Sequence, residues 1–340
     1  MDSIMSIELE KLLDENERNY WKVTGKKMLK HWRLYLLFLP LFLTFLLWRY
    51  FPIYGLLNAF QVDVGAENIP VSQRAFAGLY NFRLLMFGSN SADFWVAFRN
   101  TFVLSFYGLL FGFPVPIILA LFFNEVKNDV VRSGFQVLTY LPRFISMVII
   151  TSILTLLLQS KTPGTDTPGV VANFLANIGI ISRENAEAGI LGITRYFRPI
   201  FIISGIWENA GYASIVFFAA VVMIPKSRYE AATIDGANKW AQIRYIVLPG
   251  MASTIMIMLV LRIGELLNVG FEKVLLLQQA NYAETNIIST FVLRMAGIYG
   301  GGRGNQALAS AADLIAALLS MVLVLGSNFV VKRITKVSVY

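Results

Sequence analysis

Six apolar segments constrain the fold of this chain more than any other feature, because each is long enough to cross a bilayer. A helix of about 20 residues rises about 30 Å, the thickness of the hydrocarbon core. The backbone finds no water there, so a spanning segment must form its own helical hydrogen bonds. The sequence therefore predicts an all-α, polytopic membrane protein with spans at residues 33–57, 98–123, 134–158, 199–223, 248–268 and 307–331.

The composition supports this fold class and excludes several kinds of site. Apolar residues make up 56% of the chain and charged residues only 15%, whereas a soluble domain carries about 25% charged residues. The chain has no cysteine, which excludes disulfide bonds and thiolate metal sites. Its single histidine, His31, lies at the start of the first span, where we expect an interfacial rather than a catalytic role.

The placement of lysine and arginine predicts the orientation of the spans. Sixteen of the 29 basic residues lie up to residue 33, in the loops after the second and fourth spans, or after the sixth span. Nine are spread over the longer loops on the opposite side, and four, Arg49, Arg99, Arg143 and Arg262, fall within spans. We therefore expect both termini to face the cytoplasm. The net charge of +8 then reflects topology, and it does not indicate nucleic-acid binding.

The predicted spans divide the chain into four parts. Residues 1–30 form a cytoplasmic amphipathic extension, for which a surface helix and a loosely ordered tail both stay open. Residues 31–97 hold the first span and an external amphipathic segment, and residues 332–340 form a cytoplasmic tail. The core, residues 98–331, has five helices and the loop 226–249. The first apolar run is of full spanning length, so we expect no cleaved signal peptide.

The loop between the fourth and fifth spans carries an unusual motif. Its sequence favours two short helices, at residues 230–232 and 237–246, and the Asp-Gly pair between them is suited to capping and a bend. The small alanines allow another protein to approach closely. From periodicity alone, a solvated amphipathic connector is the alternative. The motif residues are Glu230, Ala231, Ala232, Asp235, Gly236, Ala237, Leu248 and Pro249.

The spacing of this motif resembles the cytoplasmic coupling loop of ABC importer permeases, which reads EAA, two residues, DGA, a spacer and Leu-Pro. The chain also resembles one carbohydrate-uptake subfamily of these permeases, which handles oligosaccharides from complex polysaccharides. This similarity is seen at residues 34–60, 111–126 and 139–146. The resemblance covers residues 33–333, and Arg143 stands where it implies a histidine.

The resemblance implies a set of partners and a location. They are a second, homologous permease, two ATPase subunits, an extracytoplasmic solute-binding protein and an oligosaccharide substrate, all at a bacterial inner membrane. It also implies a transport subunit and not an enzyme. The chain has no Gly-Lys-Ser/Thr phosphate loop, and the glycine cluster at residues 299–305 lacks that ending. We therefore expect no cofactor in this chain, with ATP and Mg on the partner ATPases.

Ionisable and aromatic side chains within or beside the spans are the candidates for the substrate pathway. A charge in the bilayer is costly unless it is paired or faces a polar cavity, and sugars favour planar polar groups and aromatic faces. Pairing that merely locks helices together is the alternative, and Arg262 could pair with Glu265 or with Glu208. The candidates are Arg143, Trp207, Glu208, Asn209, Tyr212, Arg262, Glu265, Asn268 and Asp313.

The arginines among these candidates suit a uronate-bearing oligosaccharide of the alginate or pectin type, because guanidinium pairs bidentately with carboxylate. A neutral oligosaccharide or another solute is the alternative substrate. Three alternative hypotheses for the function of the chain are an intramembrane transferase, a passive channel or secondary transporter, and an exporter. The transferase is disfavoured, because the sequence offers one peripheral histidine and no zinc-ligand spacing.

Overall fold

The computed structural model describes residues 24, 29–62, 74–160, 167–278, 285–299 and 304–335, and the side chains only up to residue 333. Most of the predicted N-terminal extension, residues 300–303 of the glycine cluster and the last five residues of the tail lie outside this set. The chain divides into two compact units, Met1–Leu57 and Asn58–Tyr340. In the described part of the second unit, the secondary-structure elements are helices.

The first unit contains one long helical segment. Helix α1, Trp32–Phe45, continues through a π-helical turn, Leu46–Tyr50, into a 3-10 segment, Phe51–Phe60, whose last residues belong to the second unit. None of the side chains of α1 is buried, as expected for a helix that lipid surrounds.

The second unit contains the remaining helices. In chain order they are α2 Tyr80–Phe87, α3 Ser91–Gly112, α4 Pro114–Glu125, α5 Asp129–Tyr140, α6 Met147–Leu158, α7 Val170–Asn177, α8 Arg183–Ala188, α9 Thr194–Val222, α10 Lys226–Ile234, α11 Lys239–Gln242, α12 Leu248–Gly250, α13 Ala252–Gly264, α14 Phe271–Leu277, α15 Ile288–Met295 and α16 Gln306–Thr335.

Four of the six predicted spans are single helical stretches that are long and apolar enough to cross a membrane. They are Trp32–Phe60, Ser91–Glu125, Thr194–Val222 and Gln306–Arg333. The second of these begins seven residues before the predicted start at residue 98. It consists of α3 and α4, which meet at Phe113 just before Pro114.

The third predicted span is a bent pair and not one straight helix, which corrects the sequence-based expectation. Its two halves, Asp129–Phe144 and Met147–Leu158, meet at an angle of 97°. The first half ends in a 3-10 turn, Leu141–Phe144, that contains Pro142. Proline has no N–H to donate, and the backbone of Ile145 after the turn is extended, so the helix ends before Met147 begins the second half.

The fifth predicted span is also bent, by 61°, between Lys239–Gly250 and Ala252–Gly264. The break lies at Met251, directly after the Pro249-Gly250 pair. The second half ends at Gly264, four residues before the predicted end at residue 268.

Three buried apolar clusters hold the second unit together. One joins the short helices around α9 and includes Leu158, Ala172, Phe197 and Leu277. A second includes Leu85, Phe94, Phe291 and Leu308. The third includes Ala120, Phe217, Val221, Val247 and Met251. Helix α9 takes part in two of the three and packs most extensively against α4, so it is the central helix of this unit.

A glycine lets α9 approach α5 closely. A Cβ atom at Gly211 would collide with the carbonyl oxygen of Thr139. Only a residue without a side chain fits there. This close crossing brings the end of α5, and with it the break in the third span, against the middle of α9.

Candidate functional site

The loop between α9 and α13 forms a bent elbow of two short helices, α10 and α11. Helix α10 ends at Ile234, and Gly236 follows with a φ of +75°. The amide N–H of Gly236 donates to the carbonyl of Thr233, and that of Ala237 donates to the carbonyl of Ala232. This pair of bonds is a Schellman motif, in which the left-handed position favours glycine. The bend expected at the Asp-Gly pair is present in the structure.

The second helix of the elbow begins two residues later than the sequence indicates. The side chain of Asn238 accepts a hydrogen bond of 2.8 Å from the N–H of Ala241, so Asn238 is the N-cap of α11. Ala237, expected to start this helix, lies in the turn. Gln242 then links the two helices, because its side-chain amide donates to the hydroxyl of Thr233 at 3.2 Å.

The elbow presents apolar side chains to its surroundings. Ile234 is 86% exposed, and Trp240 is 69% exposed. Tyr245, in the π-helical turn Ile243–Val247 that follows α11, is also exposed. The motif residues Glu230 and Ala231 lie exposed on α10, while Ala232 and Ala237 are half-buried. An exposed apolar surface rimmed by polar groups is typical of a protein-binding site.

Two contacts tie the elbow to the end of α4. The ammonium group of Lys239 lies 3.0 Å from the carboxylate of Glu125. Tyr229, on α10, is half-buried, and its pKa is raised by burial and further by the charge of Glu125. The phenol therefore stays neutral at any physiological pH. At the other end of the motif, Leu248 packs against the third apolar cluster, and Pro249 is exposed.

The second candidate site is centred on Glu208, the fifteenth of the 29 residues of α9. Its carboxylate lies 3.3 Å from the ammonium of Lys273 on α14 and 3.6 Å from the guanidinium of Arg143 in the broken third span. The side chains of Glu208 and Lys273 are only 6% and 7% exposed. Lys273 also lies over the ring of Phe201, 5.3 Å from its centroid. We call Glu208, Lys273 and Arg143 the Glu208 cluster.

Aromatic side chains lie beside this cluster. Trp207 and Tyr212 on α9 are half-exposed, and Phe144 meets the ring of Tyr212 edge-on with centroids 6.1 Å apart. Asn209 donates a hydrogen bond of 3.0 Å to the carbonyl of Gly205 on its own helix. The structure thus brings five of the predicted pathway residues, Arg143, Trp207, Glu208, Asn209 and Tyr212, to the middle of α9.

The other predicted pathway residues lie elsewhere. Arg262 is in the last turn of α13, and its guanidinium lies 3.5 Å from the carboxylate of Glu265, with both side chains more than half exposed. Arg262 therefore pairs with Glu265, one of the two partners that the sequence allows for it. Asn268 is exposed in the turn after α13, because the helix ends before it can place Asn268 on the face of Glu265.

Asp313 lies near the start of α16 and lines an open cavity of about 260 Å³. The side chains of Asn58, Gln306 and Ser310 line the same cavity. Its lining also includes the apolar residues Val292, Ala296, Ile298 and Ala309, and it contains no member of the Glu208 cluster.

The sequence-based reasoning missed Lys273. The predicted fifth span ends at residue 268, so the sequence places Lys273 in the external loop that follows it. A signal is nevertheless present, because Lys273 belongs to the run Phe-Glu-Lys-Val-Leu-Leu-Leu, in which apolar residues dominate. Such a run predicts a buried helix, and a lysine buried within it requires a carboxylate partner.

Comparison with known proteins identifies the family. A family model described as binding-protein-dependent transport system inner membrane component matches residues 112–336. The chain belongs to this family. The permease is 33% identical over 315 residues to the polygalacturonan/rhamnogalacturonan transport system permease protein YteP of Bacillus subtilis (strain 168), with 92% of each chain covered.

Two solved structures are also similar to the permease. The crystal structure of a bacterial ABC transporter involved in the import of the acidic polysaccharide alginate matches with a TM-score of 0.77 and 38% identity, over 91% of this chain and 98% of that one. The crystal structure of the bacterial alginate ABC transporter in complex with alginate pentasaccharide-bound periplasmic protein matches with a TM-score of 0.77 and 37% identity, over 92% and 99%.

These matches confirm the resemblance that the loop motif indicates. The permease is a multi-pass inner-membrane component of an ABC transport system and has the all-α fold of importer permeases. It is a transport subunit and not an enzyme, as the sequence predicts.

Proposed function

We propose that this permease imports acidic oligosaccharides as one of two homologous membrane subunits, and that its elbow transmits ATP-driven motion from two partner ATPases. The observation that carries the coupling role is the exposed apolar surface of the elbow. Ile234 and Trp240 would be costly to leave in water, and the same elbow exposes the small Ala231. A groove on an ATPase subunit is the partner that would cover them.

The charge distribution supports a cytoplasmic position for the elbow. The loop that contains it is one of the regions in which lysine and arginine are concentrated, and such loops stay on the cytoplasmic side. Both termini then face the cytoplasm as well. An extracytoplasmic solute-binding protein would deliver the substrate from the opposite side, and the similarity to a transporter crystallised with its periplasmic protein supports this partner.

Two of the similar proteins support an acidic substrate. One is named for polygalacturonan and rhamnogalacturonan transport, and the other for the import of alginate. These polymers carry uronate carboxylates. A neutral oligosaccharide is the alternative substrate.

Co-purification tests the coupling role. The elbow variant Glu230→Lys reverses a charge at the proposed contact, so we expect the ATPase subunits to be lost from the detergent-solubilised complex and uptake to fall. Glu184→Lys is a matched control, since Glu184 is also an exposed glutamate on a short helix but lies in a loop predicted to face outward. It should retain the ATPase subunits. Wild-type ATPase retention and uptake in Glu230→Lys would refute the assignment.

A further inference from the structure

The Glu208 cluster carries a surplus positive charge at membrane depth. At 1.5 Å per residue, the fifteenth residue of α9 lies about 20 Å from either end of the helix, well inside a core of about 30 Å. Glu208 contributes one negative charge, while Lys273 and Arg143 contribute two positive charges. One cation of the cluster therefore lacks a counter-charge within it.

The two cations differ in their surroundings. Lys273 is buried, makes a hydrogen bond of 3.3 Å to Glu208 and lies over the ring of Phe201. Arg143 lies 3.6 Å from the other carboxylate oxygen, beyond hydrogen-bond distance, and its side chain is 48% exposed. Lys273 thus neutralises Glu208, and the guanidinium of Arg143 keeps its donors available on the exposed side.

The backbone around Arg143 indicates which kind of surface this is. Arg143 lies in the irregular turn at the 97° break of the third span. Non-helical backbone at membrane depth is tolerated only where protein covers it or where it lines a water-filled cavity, and the same holds for an exposed charge. The face that holds Arg143 is therefore unsuited to lipid and suited to a polar path.

The neighbours of Arg143 match the chemistry of a sugar acid. Phe144 follows Arg143 in the chain and its ring meets that of Tyr212, so both offer exposed aromatic faces against which a pyranose ring can stack. Trp207, which precedes Glu208 on α9, is a third exposed aromatic side chain. A planar guanidinium beside them can take a carboxylate bidentately.

We propose that Arg143 binds a uronate carboxylate of the passing oligosaccharide, while Lys273 holds Glu208 in place as the positioning anion. This inference rests on the proposed import function and assigns the charge selectivity of the permease to one residue. Arg143 would then discriminate between acidic and neutral sugars inside the membrane, in addition to any selection by the binding protein.

The test uses the whole transporter, reconstituted with its ATPases and binding protein in proteoliposomes. The probes are oligogalacturonate and oligo-alginate of matched length, together with their carboxyl-reduced, neutral counterparts, and the readout is the ratio of acidic to neutral sugar-stimulated ATPase activity. The same binding protein is used with every variant, so a change in this ratio is caused by the substitution in the permease. The variants are Arg143→Gln, Arg143→Lys and, as control, Arg132→Gln.

Arg132 is a suitable control because it lies on the same broken span and also pairs with a carboxylate, that of Asp129. Arg143→Gln should lower the ratio about tenfold, the loss expected for one charge-assisted contact. Arg143→Lys should lower the ratio of acidic to neutral stimulation by less than Arg143→Gln does, and Arg132→Gln should leave the ratio unchanged. An unchanged ratio in Arg143→Gln, or an equal loss for acidic and neutral sugars, would overturn the inference while the import function stood. A wild-type transporter that no oligosaccharide stimulates would refute the import function and the inference with it.

Discussion

Removing Lys273 should destabilise the protein far more than removing other ion-paired residues. Lys273→Met keeps the length of the side chain but leaves the carboxylate of Glu208 buried, with Arg143 at 3.6 Å as its remaining partner in the cluster. Breaking a buried pair by removing one partner costs about 3–5 kcal/mol. Since Arg143 still compensates part of the charge, we expect the free energy of unfolding to fall by about 3 kcal/mol. This is roughly a hundredfold change in the ratio of folded to unfolded protein.

The double variant Lys273→Met/Glu208→Gln separates a charge effect from a packing effect. It removes both members of the pair, so no carboxylate is left unpaired. Replacing both partners of a buried pair by groups of similar volume is often neutral, and we expect a loss of at most about 1 kcal/mol. The second substitution should therefore rescue the first.

Unfolding in mixed micelles of mild and denaturing detergent measures these free energies on the purified transporter complex. Arg262→Met is the matched control, because Arg262 also pairs with a glutamate, but both side chains are more than half exposed. An exposed pair contributes about 0–1 kcal/mol, so this variant should unfold like the wild type. If Lys273→Met were as stable as Arg262→Met, or if the double variant were no more stable than the single one, the argument from a buried charge would be wrong.

Two further predictions concern the elbow. Gly236→Val places a β-branched residue at a φ of +75° and should cost about 1–3 kcal/mol locally, which abolishes uptake while membrane insertion persists. Gly134→Ala, also in open space but in a helix, is the control and should transport normally; wild-type uptake by the valine variant would contradict the prediction. Lys239→Glu and Glu125→Lys should each lower substrate-stimulated ATPase activity, and the charge-swapped double variant should regain most of it, because their ion pair ties the elbow to α4. A double variant as impaired as the single ones would show that the pair does not act in coupling.

The sequence predicts the apolar segments and the site of the elbow, because both depend on local patterns. Four of the six segments are single helical stretches, and the other two are bent pairs. Long apolar runs indicate spans, and Asp235-Gly236 supplies the capped bend through backbone preferences that neighbours hardly change. The breaks in the third and fifth spans were missed. Each lies beside a proline within an apolar run, Pro142 and Pro249, and hydropathy does not register the hydrogen bond that proline removes.

The Glu208 cluster could be predicted only in part, because its geometry depends on tertiary packing. Hydropathy singles out Glu208 and Arg143 as charges in apolar surroundings, but nothing local indicates that Lys273, 65 residues further along, pairs with Glu208. The candidate pair of Arg262 with Glu208 follows equally well from the sequence, and it is wrong because α13 ends early and leaves Arg262 beside Glu265.

One continuous helix connects the elbow with the Glu208 cluster. Helix α9 carries Glu208 at its midpoint, and near its end Phe217 and Val221 pack in the same buried cluster as Val247, which follows the elbow. Its only proline, Pro199, lies near the start, so nothing interrupts the helical hydrogen bonds between Glu208 and the elbow. If the elbow is displaced as proposed, we therefore expect α9 to move as one rigid helix. The third and fifth spans, bent by 97° and 61°, are the elements that can change angle around it.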